Sequence, residues 1–156
     1  MKPAAEAAEE GYSQVLWLFG DDDAVTEVGS MNFFVCLMNK ETNRPELVTA
    51  PLTDGDILPG VTRDSILQLA RSWGDIDVSE RKITMGEIKQ AREENRLIEA
   101  FGAGTACVVT PVSSIKYNGE EIDIPSVGAV TQRVWDEILG IQYGKIEGPP
   151  GWIVKV

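Results

Sequence analysis

The 156-residue sequence contains no histidine. That removes Ser-His-Asp and Cys-His catalysis and takes away the commonest ligand of a zinc site. Cysteine is almost as scarce. Cys36 and Cys107 lie far apart with no CxxC or paired-zinc spacing, so both read as reduced, buried thiols of an intracellular chain. Basic residues are few: fourteen Lys and Arg stand against twenty-five Asp and Glu, a net charge of −11. Such a chain has no cationic face for nucleic acid and none for an anionic membrane surface. No apolar run reaches the roughly 18 residues of a membrane span. The N-terminus, Met1-Lys2-Pro3-Ala4, has neither the apolar core of a signal peptide nor the arginines of a transit peptide. The expectation is a soluble protein.

What is present is a core. The hydrophobic share is 43%, enough at this length for one domain over residues 1–156, with no linker, internal period or low-complexity stretch. The longest acidic run, Asp21-Asp22-Asp23, reads as a solvated turn rather than a metal site.

Residues 3–10 read as a helix with Pro3 in its first turn and Gly11 at its end; its apolar face is Ala4, Ala7 and Ala8, which should pack closely on something. Ser13 to Phe19 reads as a strand. Ala24 to Met38 reads as two strands running through Gly29, and Met31 to Met38 is apolar enough to be buried on both faces. A polar hairpin loop from Asn39 leads to a short return strand, 46–49, and Asp54-Gly55 is a turn. Ile66, Leu69, Ala70 and Trp73 define a helix face over 62–73, ended by Gly74. Asp77 to Ile83 alternates like a strand. Thr84 and Glu87 form a capping box for a helix to about Arg92. Strands at 97–101 and 105–116 follow, and Asn118-Gly119 signals a hairpin into 121–124. Val127, Val130, Val134, Ile138 and Ile141 mark a last helix, and Trp152 to Val156 adds an edge strand or docks as coil. Strands outnumber helices and pair mostly as hairpins, so the class is α+β.

Three stretches carry candidate chemistry. Leu58-Pro59-Gly60-Val61-Thr62-Arg63 opens a helix behind a glycine, where bare backbone N–H groups attract a phosphate. Phe101-Gly102-Ala103-Gly104-Thr105-Ala106 combines close backbone approach with a hydroxyl. In Thr26-Glu27-Val28-Gly29-Ser30-Met31-Asn32-Phe33, Glu27 is a lone carboxylate in a neutral strand, either paired with a cation or exposed. Together they would make a phosphate cradle beside a carboxylate for a ring nitrogen.

With Gln14-Val15-Leu16-Trp17-Leu18-Phe19-Gly20, Val78-Ser79-Glu80-Arg81, Cys107-Val108-Val109 and Ile141-Gln142-Tyr143-Gly144, these stretches are similar in order and spacing to the eukaryotic-type branched-chain amino-acid aminotransferases, from about residue 3 to 144. The resemblance implies the larger, C-terminal domain of a fold type IV aminotransferase: a distorted barrel of mostly antiparallel strands surrounded by helices. It implies pyridoxal 5'-phosphate as cofactor, and, in the complete enzyme, transfer of an amino group from leucine, isoleucine or valine to 2-oxoglutarate. By position, Glu27 would pair with the pyridine nitrogen, and the Val61 and Thr62 amides with the Thr105 hydroxyl would hold the phosphate. Ser30 and the Thr105–Ala106 backbone would face the cofactor or the substrate carboxylate, and Gly60 and Gly104 would permit the approach. The resemblance also implies a homodimer, in cytosol or mitochondria.

Two departures stand out. The mammalian members carry a CxxC pair where this chain has Cys107 and Thr110. The Schiff-base lysine of the family lies in a Lys-x-Gly-x-Asn-Tyr segment just before the helix that residues 3–10 resemble, and this sequence has no such segment. The expectation is a cofactor-binding half, inactive by itself and with weak cofactor binding. Within enzymes, a D-amino-acid aminotransferase or an aminodeoxychorismate lyase is the alternative; outside them, a non-catalytic assembly domain.

Overall fold

An apolar run such as Met31–Met38 is stable only where both of its faces are covered. In the computed structural model, which describes residues 2–53, 55–125 and 128–154, it is the strand on which the rest is built. In chain order the elements are α1 (Lys2–Glu9), β1 (Leu16–Phe19), β2 (Ala24–Val28), β3 (Met31–Met38), β4 (Pro45–Thr49) and α2 (Val61–Trp73). They continue as β5 (Asp77–Glu80), α3 (Met85–Glu93), β6 (Leu97–Gly104), β7 (Val108–Pro111), β8 (Ser114–Tyr117), β9 (Glu120–Asp123) and α4 (Ala129–Gln142).

One edge of β3 is taken by β6, from Asn32 opposite Ala103 to Leu37 opposite Leu97. The other edge is shared. Near its start β3 pairs with β2 (Glu27 opposite Asn32), and from Phe34 onward with β4. The sheet therefore forks at Phe33, whose carbonyl accepts a 2.6 Å hydrogen bond from the Thr49 hydroxyl. β1 extends one limb of the fork and β5 the other, and β7 lies outside β6. Only β4–β5 is parallel, joined through α2. The class is α+β with a mostly antiparallel sheet, as expected.

Alternation along β3 sorts the core. Phe33, Val35 and Leu37 face α3 and the β8–β9 hairpin, through Met85, Ile88, Ala91, Ile115 and Ile122. Phe34 and Cys36 face α2 and α4, through Ile66, Leu67, Val134 and Ile138. The Phe34 and Phe101 rings stack at 5.1 Å across β3 and β6. Full burial of each such side chain contributes about 1.5–3 kcal/mol. Gly29, at φ 59, permits the tight turn from β2 to β3, and Gly74 ends α2 in the left-handed conformation.

Several expectations need correction. The single strand expected over 105–116 is interrupted twice. Residues 105–107 turn, and after Pro111 the chain leaves the main sheet for the β8–β9 hairpin. The alternation after Asp77 ends at Glu80, because Arg81 turns aside to meet Glu46 and Glu87. Glu87 is thus used up, and the capping box is half of one: the Thr84 hydroxyl accepts from the Glu87 N–H with no return bond. The strand at 13–19 begins only at Leu16. No residue of α1 is buried; Ala7 alone is half-covered. Cys107, read as buried, is exposed. Cys36 is buried, and burial, then the Glu99 and Glu46 charges, push its thiol up to about 12. The tail docks as coil through Trp152. Of the remaining expectations, Asp54 in its turn, Val127 of the last helix face and the final two residues of the tail lie outside the described residues.

Candidate functional site

The loop leaving β4 returns to the fork in the sheet and is held there by two side chains on the backbone of one residue. The Leu58 N–H donates to Glu27 Oε1 at 3.0 Å, and Asn32 Nδ2 donates to the Leu58 carbonyl at 2.9 Å. Glu27 and Asn32 are cross-strand partners on β2 and β3. They grip the N–H and C=O of Leu58 much as an edge strand would. Glu27 is half-buried, and no cation pairs with it among the described residues.

This grip sets the start of α2. Gly60 is its N-cap, with extended backbone and no capping side chain. A Cβ at Gly60 would stand 2.4 Å from Asn32 Oδ1, so the close approach requires glycine. The first N–H groups of a helix have no partner inside it. Here they belong to Val61, 81% exposed, Thr62, half-buried, and Arg63. Arg63 itself is 3% exposed. Its Nη2 donates to the Ala50 carbonyl at 3.0 Å and to Glu80 Oε1 at 2.7 Å, while its Nε is buried without a partner. Arg71 takes the other oxygen of Glu80 at 2.8 Å. These hydrogen bonds, from Arg71 and then Arg63, hold the Glu80 carboxyl below the usual range.

The third stretch arrives on β6. Ala103 sits opposite Asn32, so the turn Thr105–Cys107 begins two residues away, at most about 7 Å of extended chain. Thr105 and Ala106 are exposed, as is Ser30 at the β2–β3 turn. Val108 closes the β6–β7 turn at φ 57, an unusual conformation for a β-branched residue. The structure thus gathers Glu27, Ser30, Gly60, Val61, Thr62, Thr105 and Ala106 around one end of the β2–β3–β6 strands. It also adds two residues to which the sequence assigned no role, Asn32 and Arg63. A polar side chain inside the run Met31–Met38 was the available signal for Asn32; nothing local distinguished Arg63 from a surface arginine.

The model of the amino-transferase class IV family matches residues 1–115. The chain belongs to the class IV aminotransferases. Among curated members, it is 50% identical over 149 residues to a branched-chain-amino-acid aminotransferase of Monosiga brevicollis, covering 93% of this chain and 38% of that protein. To the cytosolic branched-chain-amino-acid aminotransferase of Rattus norvegicus it is 51% identical over 145 residues, covering 91% and 35%. Among solved class IV structures, it superposes with a TM-score of 0.69 on the branched-chain amino acid aminotransferase of Thermobaculum terrenum in its PLP form. The two are 29% identical, with 92% of this chain and 41% of the other covered. This class IV chain therefore spans well under half the length of the relatives it matches.

Five of its lysines have carboxylate partners away from the gathered strands. Lys2 pairs with Glu6, Lys40 with Glu94, Lys82 with Asp22, Lys89 with Glu120 and Lys116 with Glu10. Lys145 is exposed beyond the end of α4. A cleft of 720 Å³ lies on the other face of the sheet, between it and α1, with Met31, Gly102 and Tyr117 in its wall. No helix among the described residues is long and apolar enough to cross a membrane.

Proposed function

We propose that residues 1–156 form the cofactor-binding domain of a branched-chain amino-acid aminotransferase, taking pyridoxal phosphate at the fork of the sheet. The observation that carries this reading is the open first turn of α2, held by Glu27 and Asn32. The bare amides of the first turn and the orphaned Arg63 Nε fit a phosphate-sized anion. The Val61 and Thr62 amides and the Thr105 hydroxyl bind the phosphate. Glu27, with one oxygen accepting from Leu58, would have the other free for the pyridine N–H and would keep it protonated. The protonated ring, when bound, supplies an electron sink for a substrate carbanion. Ser30 and the Thr105–Ala106 backbone orient the substrate carboxylate, and the substrates are leucine, isoleucine or valine with 2-oxoglutarate. In solution the chain associates as a homodimer, covering exposed Leu58, Val61 and Tyr143.

The chain by itself holds the cofactor non-covalently and does not transaminate, because none of its described lysines stands at the fork. Titration of pyridoxal phosphate into wild type and Glu27→Gln tests the first point. A charge-assisted hydrogen bond contributes about 1.5–3 kcal/mol, so Glu27→Gln weakens binding at an unchanged unfolding midpoint. Equal affinities refute the assignment of Glu27. Borohydride reduction followed by peptide mass mapping tests the second. A stoichiometric lysine adduct with leucine-dependent glutamate formation overturns it.

A further inference from the structure

Building on the proposed cofactor site, we propose that Asn32 is the positioning residue of its phosphate turn, holding the α2 N-terminus at a set place relative to Glu27. Three observations meet on this side chain. Its Nδ2 donates to the Leu58 carbonyl at 2.9 Å, and its Oδ1 lies against Gly60, leaving no room for a Cβ. Its cross-strand partner Glu27 accepts the N–H of the same Leu58. The backbone N–H and C=O of Leu58 are therefore divided between the carboxylate that would meet the ring and the amide that presents the phosphate turn. Asn32 is buried and sits in β3 among apolar neighbours. A polar side chain there is costly unless its hydrogen bonds are made. Only the loop makes them: Leu58 is the one hydrogen-bond partner of the Asn32 side chain among the described residues.

The geometry makes a selective demand. If Asn32 sets the phosphate turn, its loss should harm recognition of the phosphate more than recognition of the ring. The experiment compares wild type, Asn32→Ala and Gly60→Ala, the second variant pressing the same contact from the loop side. Three probes are titrated: pyridoxal phosphate, pyridoxal without phosphate, and inorganic phosphate. Backbone amide exchange is followed without any ligand. The expected result is about tenfold weaker binding of pyridoxal phosphate and inorganic phosphate in both variants, the loss of one neutral hydrogen bond, with pyridoxal affinity unchanged. Exchange at Leu58 and Gly60, whose N–H groups are hydrogen-bonded in the folded loop, should accelerate while that of β6 does not. Equal weakening of all three probes, or unchanged exchange at these two positions, overturns the proposal. If Asn32→Ala does not fold, Gly60→Ala decides by the same readings. Wild type that binds neither phosphate probe refutes the cofactor reading and the proposal's ligand with it. The exchange data then still decide whether Asn32 holds the loop.

Discussion

Two helices in this chain begin at a glycine in extended conformation with no capping side chain of their own, α2 at Gly60 and α4 at Gly128. Their outcomes differ. At α4, Glu99 reaches across from β6, 1% exposed, and occupies the N-terminus. Its carboxylate accepts from the Gly128, Val130 and Thr131 N–H groups at 3.1, 2.9 and 3.0 Å, and from the Thr131 hydroxyl at 2.5 Å. A Cβ at Gly128 would stand 2.6 Å from Glu99 Oε1. At α2, Glu27 is spent on Leu58, the first-turn carboxylate of Asp64 accepts from Gln68, and Val61 faces solvent. The contrast teaches what an exposed N-terminus asks for. This fold supplies an anion from within where the helix is structural, and leaves the place open where an anion can come from outside.

The comparison breaks most sharply if Glu99 is removed. Glu99→Ala strands three N–H groups, that of Thr131 buried and those of Gly128 and Val130 half-buried, and should cost about 3 kcal/mol of stability. The check is a lower urea midpoint at unchanged slope; an unchanged midpoint would deny that the α4 terminus needs its anion. Next come the glycines. Gly128→Ala should cost about 1–3 kcal/mol by displacing Glu99, and leave inorganic phosphate binding as in wild type. Gly60→Ala should show the reverse emphasis, losing phosphate more than stability. Unfolding curves and phosphate titrations on both variants settle whether the two termini differ in role. The smallest effect concerns acid. The Glu80 carboxyl, which holds Arg63 in the first turn of α2, titrates below its ordinary 4.5 because Arg71 and Arg63 donate to it. A carboxyl with a depressed folded pKa adds stability above its unfolded value and loses it as the pH falls through the folded one. Melting temperatures should therefore drop modestly below pH 4.5, and Glu80→Gln should flatten that limb.

Elements whose signal is local were legible. The helix face at Ile66, Leu69 and Ala70, the Asn118-Gly119 turn and the run at Met31 all appear where periodicity and turn chemistry put them. What escaped was set by partners distant in sequence. Glu99 looks like a surface carboxylate in a strand until α4 folds over it, and Arg81 ends β5 only because Glu46 and Glu87 wait on other elements. Burial by itself would raise the Glu46 carboxyl; hydrogen bonds from Arg81, Asn39 and Ser79 outweigh it and hold it low. The candidate site was legible in a different sense. Resemblance named its residues, but the sharing of Leu58 between Glu27 and Asn32 is visible only in three dimensions. Cys107 was misjudged because scarcity of cysteine says nothing about a turn.

The fork at Phe33 also has a consequence in time. The β1–β2–β3–β4 limb joins segments close in sequence and closes small loops, whereas β6 must cross α2, β5 and α3 before it can zip along β3. Closing the larger loop is slower, so the Thr105 turn should be the last wall of the site to arrive. In refolding, phosphate affinity should therefore appear in two instalments: a weak one when the α2 turn docks at the fork, and the full one only with the phase that buries Phe101. Stopped-flow phosphate binding alongside a Phe34–Phe101 packing probe would time the two.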